Sequence, residues 1–212
     1  MLSDLGVVSP LIVLLLGAAT VLLLTVSAKK PTSSPYHLTL VALVTLAAAC
    51  VLLWFQEIPS TAFRGAVVHD GLSKTFGAIA LLGAGISVLL SGAYLQEQQS
   101  SVGEFFALLL LSTLGMLMML IAGDFLVLFI GLEAMSIAAY VLAGYRRASK
   151  HSQEAALKYF VYGAFASAFL LFGMALIYGE VGRLSGTPSL SLKAIATALQ
   201  GAEISALGWL GL

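Results

Sequence analysis

Two ionisable residues interrupt long uncharged runs, and the type and position of each raise the question of proton chemistry: Glu133 and Lys158. Glu133 follows Phe125 by eight residues and precedes Tyr145 by twelve, so on a helix it stands about 12 Å from one end of its apolar run and about 18 Å from the other. In a membrane that is near mid-depth, where a carboxylate cannot snorkel to water. A charge there costs at least about 2.5 kcal/mol on insertion scales, so the group needs a partner, a water-filled cavity or a proton. A carboxyl group that gains and loses a proton at that depth is the raw material of proton transfer. The plain structural reading is a protonated glutamate that joins two helices by a hydrogen bond. Ser136 and Tyr140 fall on the same helical face and would give Glu133 a polar stripe among Gly131, Ala134, Ala138 and Ala139.

Lys158 is shallower, about 6 Å inside its run, and from spacing alone it reads equally as a snorkelling anchor or as a functional amine. Glu154 at i−4 and Tyr162 at i+4 share its face, which also allows an ordinary helix-surface ion pair. Glu104, at the start of another apolar run, reads from position as a headgroup-level residue.

The elements that must hold these residues follow from composition. Of 212 residues, 60% are hydrophobic and 9% charged, and the mean hydropathy is +1.03. Ordinary soluble domains carry about a quarter charged residues, so a water-soluble globule is excluded. Ten Lys and Arg balance ten Asp and Glu. The basic residues form no stripe able to neutralise a run of phosphates, so nucleic-acid binding has no support. The single cysteine, Cys50, excludes an internal disulfide and any multi-cysteine metal or iron-sulfur site. His37, His69 and His151 sit in loops or at their edges, so no pair of haem ligands faces across a bundle. No phosphate-cradling loop, dinucleotide fingerprint or zinc spacing is present. Met1 to Asp4 lacks the basic start and small-residue cleavage site of a signal peptide, so the first apolar run is expected to stay in the protein.

Six segments are long enough to cross a bilayer: 5–27, 38–55, 75–94, 105–122, 125–145 and 155–178. None shows the two-residue alternation of an outer-membrane barrel, and backbone amides in lipid must bond internally, so the expected fold is an all-α, polytopic transmembrane bundle forming a single membrane domain over 1–212. Asp124, in the Gly123-Asp124 turn, is placed to cap the helix that carries Glu133. Gln56 to Lys74 mixes charged and apolar residues and is expected at the membrane interface, and Leu190 to Gln200 can form a short amphipathic surface helix. The Gly- and Phe-rich run Gly163 to Gly173 reads as close helix packing. A last apolar run, 204–212, rises only about 14 Å and reads as the start of a seventh span. For orientation, loops after odd spans hold Lys29, Lys30, Arg146, Arg147 and Lys150, against Arg64, Lys74, Arg183 and Lys193 after even ones. The tight Arg146, Arg147, Lys150 cluster places that side in the cytoplasm and the N-terminus outside.

The stretch DFLVLFIGLEAMSIAAYVLAGYRR (Asp124 to Arg147), followed by EAALKYFVYGAFASAFLLFGMALIYG (Glu154 to Gly179), resembles subunit N of bacterial proton-pumping NADH-quinone oxidoreductase, respiratory complex I. The GLE, MS, YVL and RR elements and EAALKYF are its most specific parts. The same antiporter-like fold occurs in cation/proton antiporter complexes and membrane-bound hydrogenases. The resemblance implies that Glu133 is a proton-transfer residue, that Lys158 joins it on the intramembrane hydrophilic axis, and that Glu104 and Glu154 match positions where the family keeps acids. It implies the first part of an antiporter-like fold in the bacterial inner membrane, with the chain stopping before the broken seventh helix and the second repeat. It also implies that the other membrane-arm subunits and the lipid bilayer are the partners. NADH, FMN, the iron-sulfur clusters and quinone would belong to partner subunits, with no cofactor on this chain. An antiporter or hydrogenase subunit without those redox partners, and a non-catalytic membrane fragment or assembly remnant, are the competing readings.

Overall fold

The structure is a computed structural model that describes residues 2–27, 35–97 and 101–212. A short helix α1 (Leu2–Val7) leads into α2 (Ser9–Ser27), which is followed by α3 (Pro35–Phe55). A hairpin of β1 (Ser60–Ala62) and β2 (Val67–His69) then precedes α4 (Gly71–Glu97), α5 (Val102–Leu120), α6 (Phe125–Ala143) and the 36-residue α7 (Lys150–Ser185). Two short helices follow, α8 (Leu192–Leu199) and α9 (Ala206–Gly211). Among the described residues six helices, α2 to α7, are long and apolar enough to cross a membrane. The orientation argument drawn from Lys29 and Lys30 lies outside the described residues.

Helix α5 is the centre of the bundle and packs against α2, α3, α4 and α6. Its Phe106, Leu110 and Leu117 meet Leu14 and Val21 of α2, Leu46 and Leu53 of α3 and Leu81 and Val88 of α4 in one continuous core. Its approach to α6 is set by two glycines. A Cβ built on Gly115 would stand 2.6 Å from the Gly131 carbonyl oxygen, and one on Gly131 would stand 2.8 Å from the Met119 nitrogen. Only hydrogen fits there, which is how small residues let helices in lipid approach. Helix α7 touches α6, α8 and α9 and leaves most of its surface uncovered.

At one end of the bundle the connections are tied into a backbone-bonded layer. β1 and β2 pair antiparallel with Thr61 opposite Val68, and the turn between them holds Phe63, Arg64 and Gly65 at positive φ. Val68 N–H donates to the Ile121 carbonyl and Gly123 N–H to that of Ala66, fastening the hairpin to the α5–α6 turn. The same turn receives the chain after α7: Phe125 N–H donates to the Leu190 carbonyl and Leu192 N–H to that of Gly123. This strand-like segment is a departure from helix throughout. It lies in the connection between spans, where β-branched Thr61, Val67 and Val68 suit extended backbone. The sixth long helix also exceeds the 155–178 read from hydropathy, because the polar ends of an amphipathic helix stay helical outside the apolar window; its Gly186 cap has φ +77°.

Candidate functional site

Glu133 sits on α6 between Gly131 and Tyr140. Asp124 fixes the start of that helix by accepting from Val127 N–H at 2.8 Å. From Phe125 the carboxyl lies about 12 Å along the helix and from Ala143 about 15 Å, so the structure keeps it near mid-span. It is partly buried, and its Oε1 accepts a hydrogen bond from the Ser167 hydroxyl of α7. The crossing that makes this contact is built on Tyr140, whose ring packs edge-on against Tyr159 at 4.8 Å and Phe160 at 5.9 Å and lies over Gly163. The Gly163 to Gly173 run thus supplies both a close approach and the hydroxyl that reaches Glu133.

Lys158 stands elsewhere. The Tyr140 to Tyr159 contact puts it at the level of the last turn of α6, roughly 12 Å along the bundle from Glu133. Nine residues separate it from Ser167, half a turn out of phase at 100° per residue, so the two point to opposite sides of α7. Its Nζ donates to Glu154 Oε1 at 2.5 Å, and the two side chains are 63% and 58% exposed. Their face continues through exposed Tyr162, Phe165, Phe169 and Phe172. Glu104, in the first turn of α5, pairs with Arg147 at 3.4 Å at the same end of the bundle. The four candidate residues therefore form one mid-depth carboxyl with a hydroxyl donor and two exposed ion pairs, and no two of those three groups touch. Among the described residues no cluster of three or more His, Cys, Asp or Glu is placed to hold a metal ion.

Residues 122–210 match the transmembrane family of NADH:quinone oxidoreductases and Mrp antiporters. NADH-quinone oxidoreductase subunit N of Trichlorobacter lovleyi is 41% identical over 180 residues, 84% of this chain and 37% of that protein. The subunit N of Rhodospirillum rubrum is 40% identical over 172 residues, 80% of this chain and 35% of that protein. The chain is homologous to NADH-quinone oxidoreductase subunit N. It spans a little over a third of the length of these subunit N relatives. A chain of respiratory complex I from Thermus thermophilus, solved with bound aureothin, superposes with a TM-score of 0.71 at 33% identity, covering 95% of this chain and 41% of that one. An archaeal membrane-bound sulfane sulfur reductase shares the fold, with a TM-score of 0.72 at 23% identity over 98% of this chain and 42% of that one. The subunit N homologue is thus a multi-pass helical membrane protein of antiporter-like fold.

Two polar clusters of this subunit N homologue were not apparent from sequence. The carboxylate of Glu180, with a side chain 4% exposed, takes a bidentate grip from Arg183 (Nε to Oε2 3.1 Å, Nη2 to Oε1 2.7 Å). It also accepts from the Ser205 backbone N–H at 2.8 Å and hydroxyl at 2.7 Å, while Arg183 donates to the Glu203 carbonyl. Every lone-pair direction of a buried charge is met, which pins the start of α9 to the end of α7. The i, i+3 spacing of Glu180 and Arg183 was the available signal; the burial of Glu180 comes from the return of residues 203–208. The second cluster is His69, wholly buried in β2, with Nδ1 3.0 Å from Ser73 Oγ. The Ser73 hydroxyl donates to the Asp70 carbonyl at 2.9 Å and accepts from the Asp70 N–H at 2.9 Å. Asp70 in turn caps α4 by accepting from Ser73 N–H at 2.8 Å. Burial pushes the imidazole below the ordinary histidine range, the nearby Lys74 charge adds to this, and Asp70 and the Leu53 carbonyl oppose it.

Proposed function

We propose that this chain serves in the membrane arm of a bacterial NADH-quinone oxidoreductase, in the inner membrane, and that Glu133 exchanges protons in a transfer path coupled to quinone reduction. The observation that carries the reading is the mid-depth carboxyl of Glu133 bonded to the Ser167 hydroxyl of α7. A carboxyl at that depth takes or gives up a proton as its hydration and neighbouring charges change. Ser167, donor to one state and acceptor from the other, holds the group in place through both. Lys158 with Glu154, and Glu104 with Arg147, are titratable groups toward one membrane face, and Lys158 is the amine assigned to the path there. The names carried by the subunit N relatives favour this reading over a cation/proton antiporter or hydrogenase subunit, or an inert fragment. The other membrane-arm subunits are its partners. NADH, FMN, iron-sulfur clusters and quinone act on the remaining subunits of the enzyme, so this chain contributes proton movement and not redox chemistry.

The test is made in the assembled complex. Glu133→Ala and Glu133→Gln lower proton pumping and coupled quinone reduction per assembled complex by about a hundredfold or more, the lower end of the range expected for loss of a proton-transfer group. Glu133→Asp, which keeps an ionisable oxygen on a shorter arm, does less damage, and Ser167→Ala gives a partial loss. Wild-type pumping by Glu133→Gln in inverted vesicles would reduce Glu133 to a helix-joining hydrogen bond and overturn the proposal.

A further inference from the structure

At the end of the bundle opposite the hairpin layer, a cavity of about 180 Å³ opens where α4 ends, α5 and α7 begin and α6 gives way to its connecting turn. Its walls are mainly apolar, with half-buried Phe105, Leu142 and Ala143 and exposed Tyr94, and the exposed Arg146 is among the lining residues. Tyr145, also on the wall, stacks edge-on against Phe105 at 5.3 Å and donates its hydroxyl to the Ser101 carbonyl, so that side of the cavity is rigidly built. Of the nearby acids whose side chains are described, Glu104 is taken by Arg147 and Glu154 by Lys158, which leaves an excess of positive charge among the described side chains. Arg146 and Lys150 make no ion pair among the described residues, and the N-terminus of the 36-residue α7 adds its positive end beside them.

An unpaired guanidinium above an apolar slot, at the depth where Tyr94 and Tyr145 mark a membrane interface, matches a molecule with a negative head and hydrocarbon tails. We propose that this cavity binds one anionic glycerophospholipid, its phosphodiester against Arg146 with Lys150 nearby, and the start of an acyl chain along Phe105 and Leu142. The charge complementarity selects the anionic head over a zwitterionic one. The apolar walls select a lipid over a free phosphate, which would leave them wet. The site goes beyond the proton-transfer reading and does not depend on it, since it shares no residue with Glu133 and Ser167.

Native mass spectrometry of the full chain, purified in detergent and stripped of lipid, tests this with phosphatidylglycerol and phosphatidylcholine of identical acyl chains. Phosphatidylglycerol is expected to be retained in preference. Arg146→Gln weakens that retention about fivefold, the effect expected of one basic residue at an anionic lipid surface, and leaves phosphatidylcholine unchanged. Ala143→Leu, which keeps every charge and fills the slot, weakens it as well. Lys193→Gln on exposed α8, at the other end of the bundle, behaves as wild type. Equal retention of the two lipids, or wild-type retention by Arg146→Gln with native helical content, overturns the proposal. Displacement of phosphatidylglycerol by an equal concentration of inorganic phosphate overturns the assignment to a lipid.

Discussion

A lysine that only anchors a helix and a lysine that hands on a proton differ in what they tolerate, and Lys158 is placed where the two can be told apart. Its partner Glu154 and its 63% exposure in the chain alone fit an interfacial ion pair, worth little to stability. If Lys158 must release its proton, arginine cannot replace it, because a guanidinium stays charged at any accessible pH. Lys158→Arg is therefore expected to assemble but lose part of the coupled activity, and Lys158→Ala to lose at least as much, measured as activity per assembled complex. Full activity with arginine would leave Lys158 a fixed charge and remove it from the path. His69 makes a different prediction, about stability. Its folded-state pKa lies below the value of about 6.5 that it has when unfolded, so the unfolded chain binds more protons as the pH falls. The stabilisation by neutral buried His69 is complete above about pH 6.5 and declines as the pH drops below it toward the folded value. Thermal midpoints of His69→Gln should fall less steeply than wild type between about pH 7 and pH 5.5, and equal slopes would show that His69 does not titrate on unfolding.

At the level of elements, the position of Glu133 depends on how closely α5 and α6 approach. A side chain at Gly115 would meet backbone, with a Cβ 2.6 Å from the Gly131 oxygen and 2.9 Å from Met135 Cα, so no rotamer relieves it. Gly115→Val should separate the two helices and cost about 1–3 kcal/mol, the usual range for overpacking, seen as a lower thermal midpoint. Gly83→Ala on α4, where an added Cβ meets nothing within 4 Å, should leave the midpoint unchanged or raise it slightly, since alanine restricts the unfolded chain. A Gly115→Val variant as stable as wild type would mean that the α5–α6 crossing is looser than the structure shows. The Glu180, Arg183 and Ser205 cluster works at the same scale: a charge buried at the end of α7 is tolerable because residues 203–208 fold back to meet it.

For the whole molecule, six long helices place the start of α2 and the segment after α7 on one face and the α6–α7 connection on the other. The hydrogen bonds of residues 190–192 to the α5–α6 turn, and those of the Gln56 side chain to the Gly6 and Val7 carbonyls, gather that first face into one layer. In a Cys50→Ala background, cysteines at Ser149 and Ser185 should be labelled by membrane-impermeant reagents from opposite sides, with Ser149 reached from the cytoplasm. Labelling of both from one side would require a different number of crossings, and labelling of Ser149 from outside would invert the orientation.

Sequence by itself determined that six apolar runs form long helices and that Glu133 lies near the middle of one of them, because a backbone in lipid must bond within its own helix and each apolar run of about 20 residues declares itself locally. The Asp124 cap was legible for the same reason, its partner lying three residues on. What faces what was decided by tertiary structure. Apart from the Glu133, Ser136 and Tyr140 stripe, helix α6 is apolar around its circumference, so periodicity does not separate the lipid side from the protein side, and Ser136 and Tyr140 on its own helix were better visible than Ser167 across the crossing. Lys158 and Ser167 share a helix, yet half a turn between them sends one to the exposed face and the other to Glu133. Likewise Glu180 reads as an interfacial polar residue until the chain returns over it, since its burial depends on Ser205, 25 positions away, rather than on its neighbours.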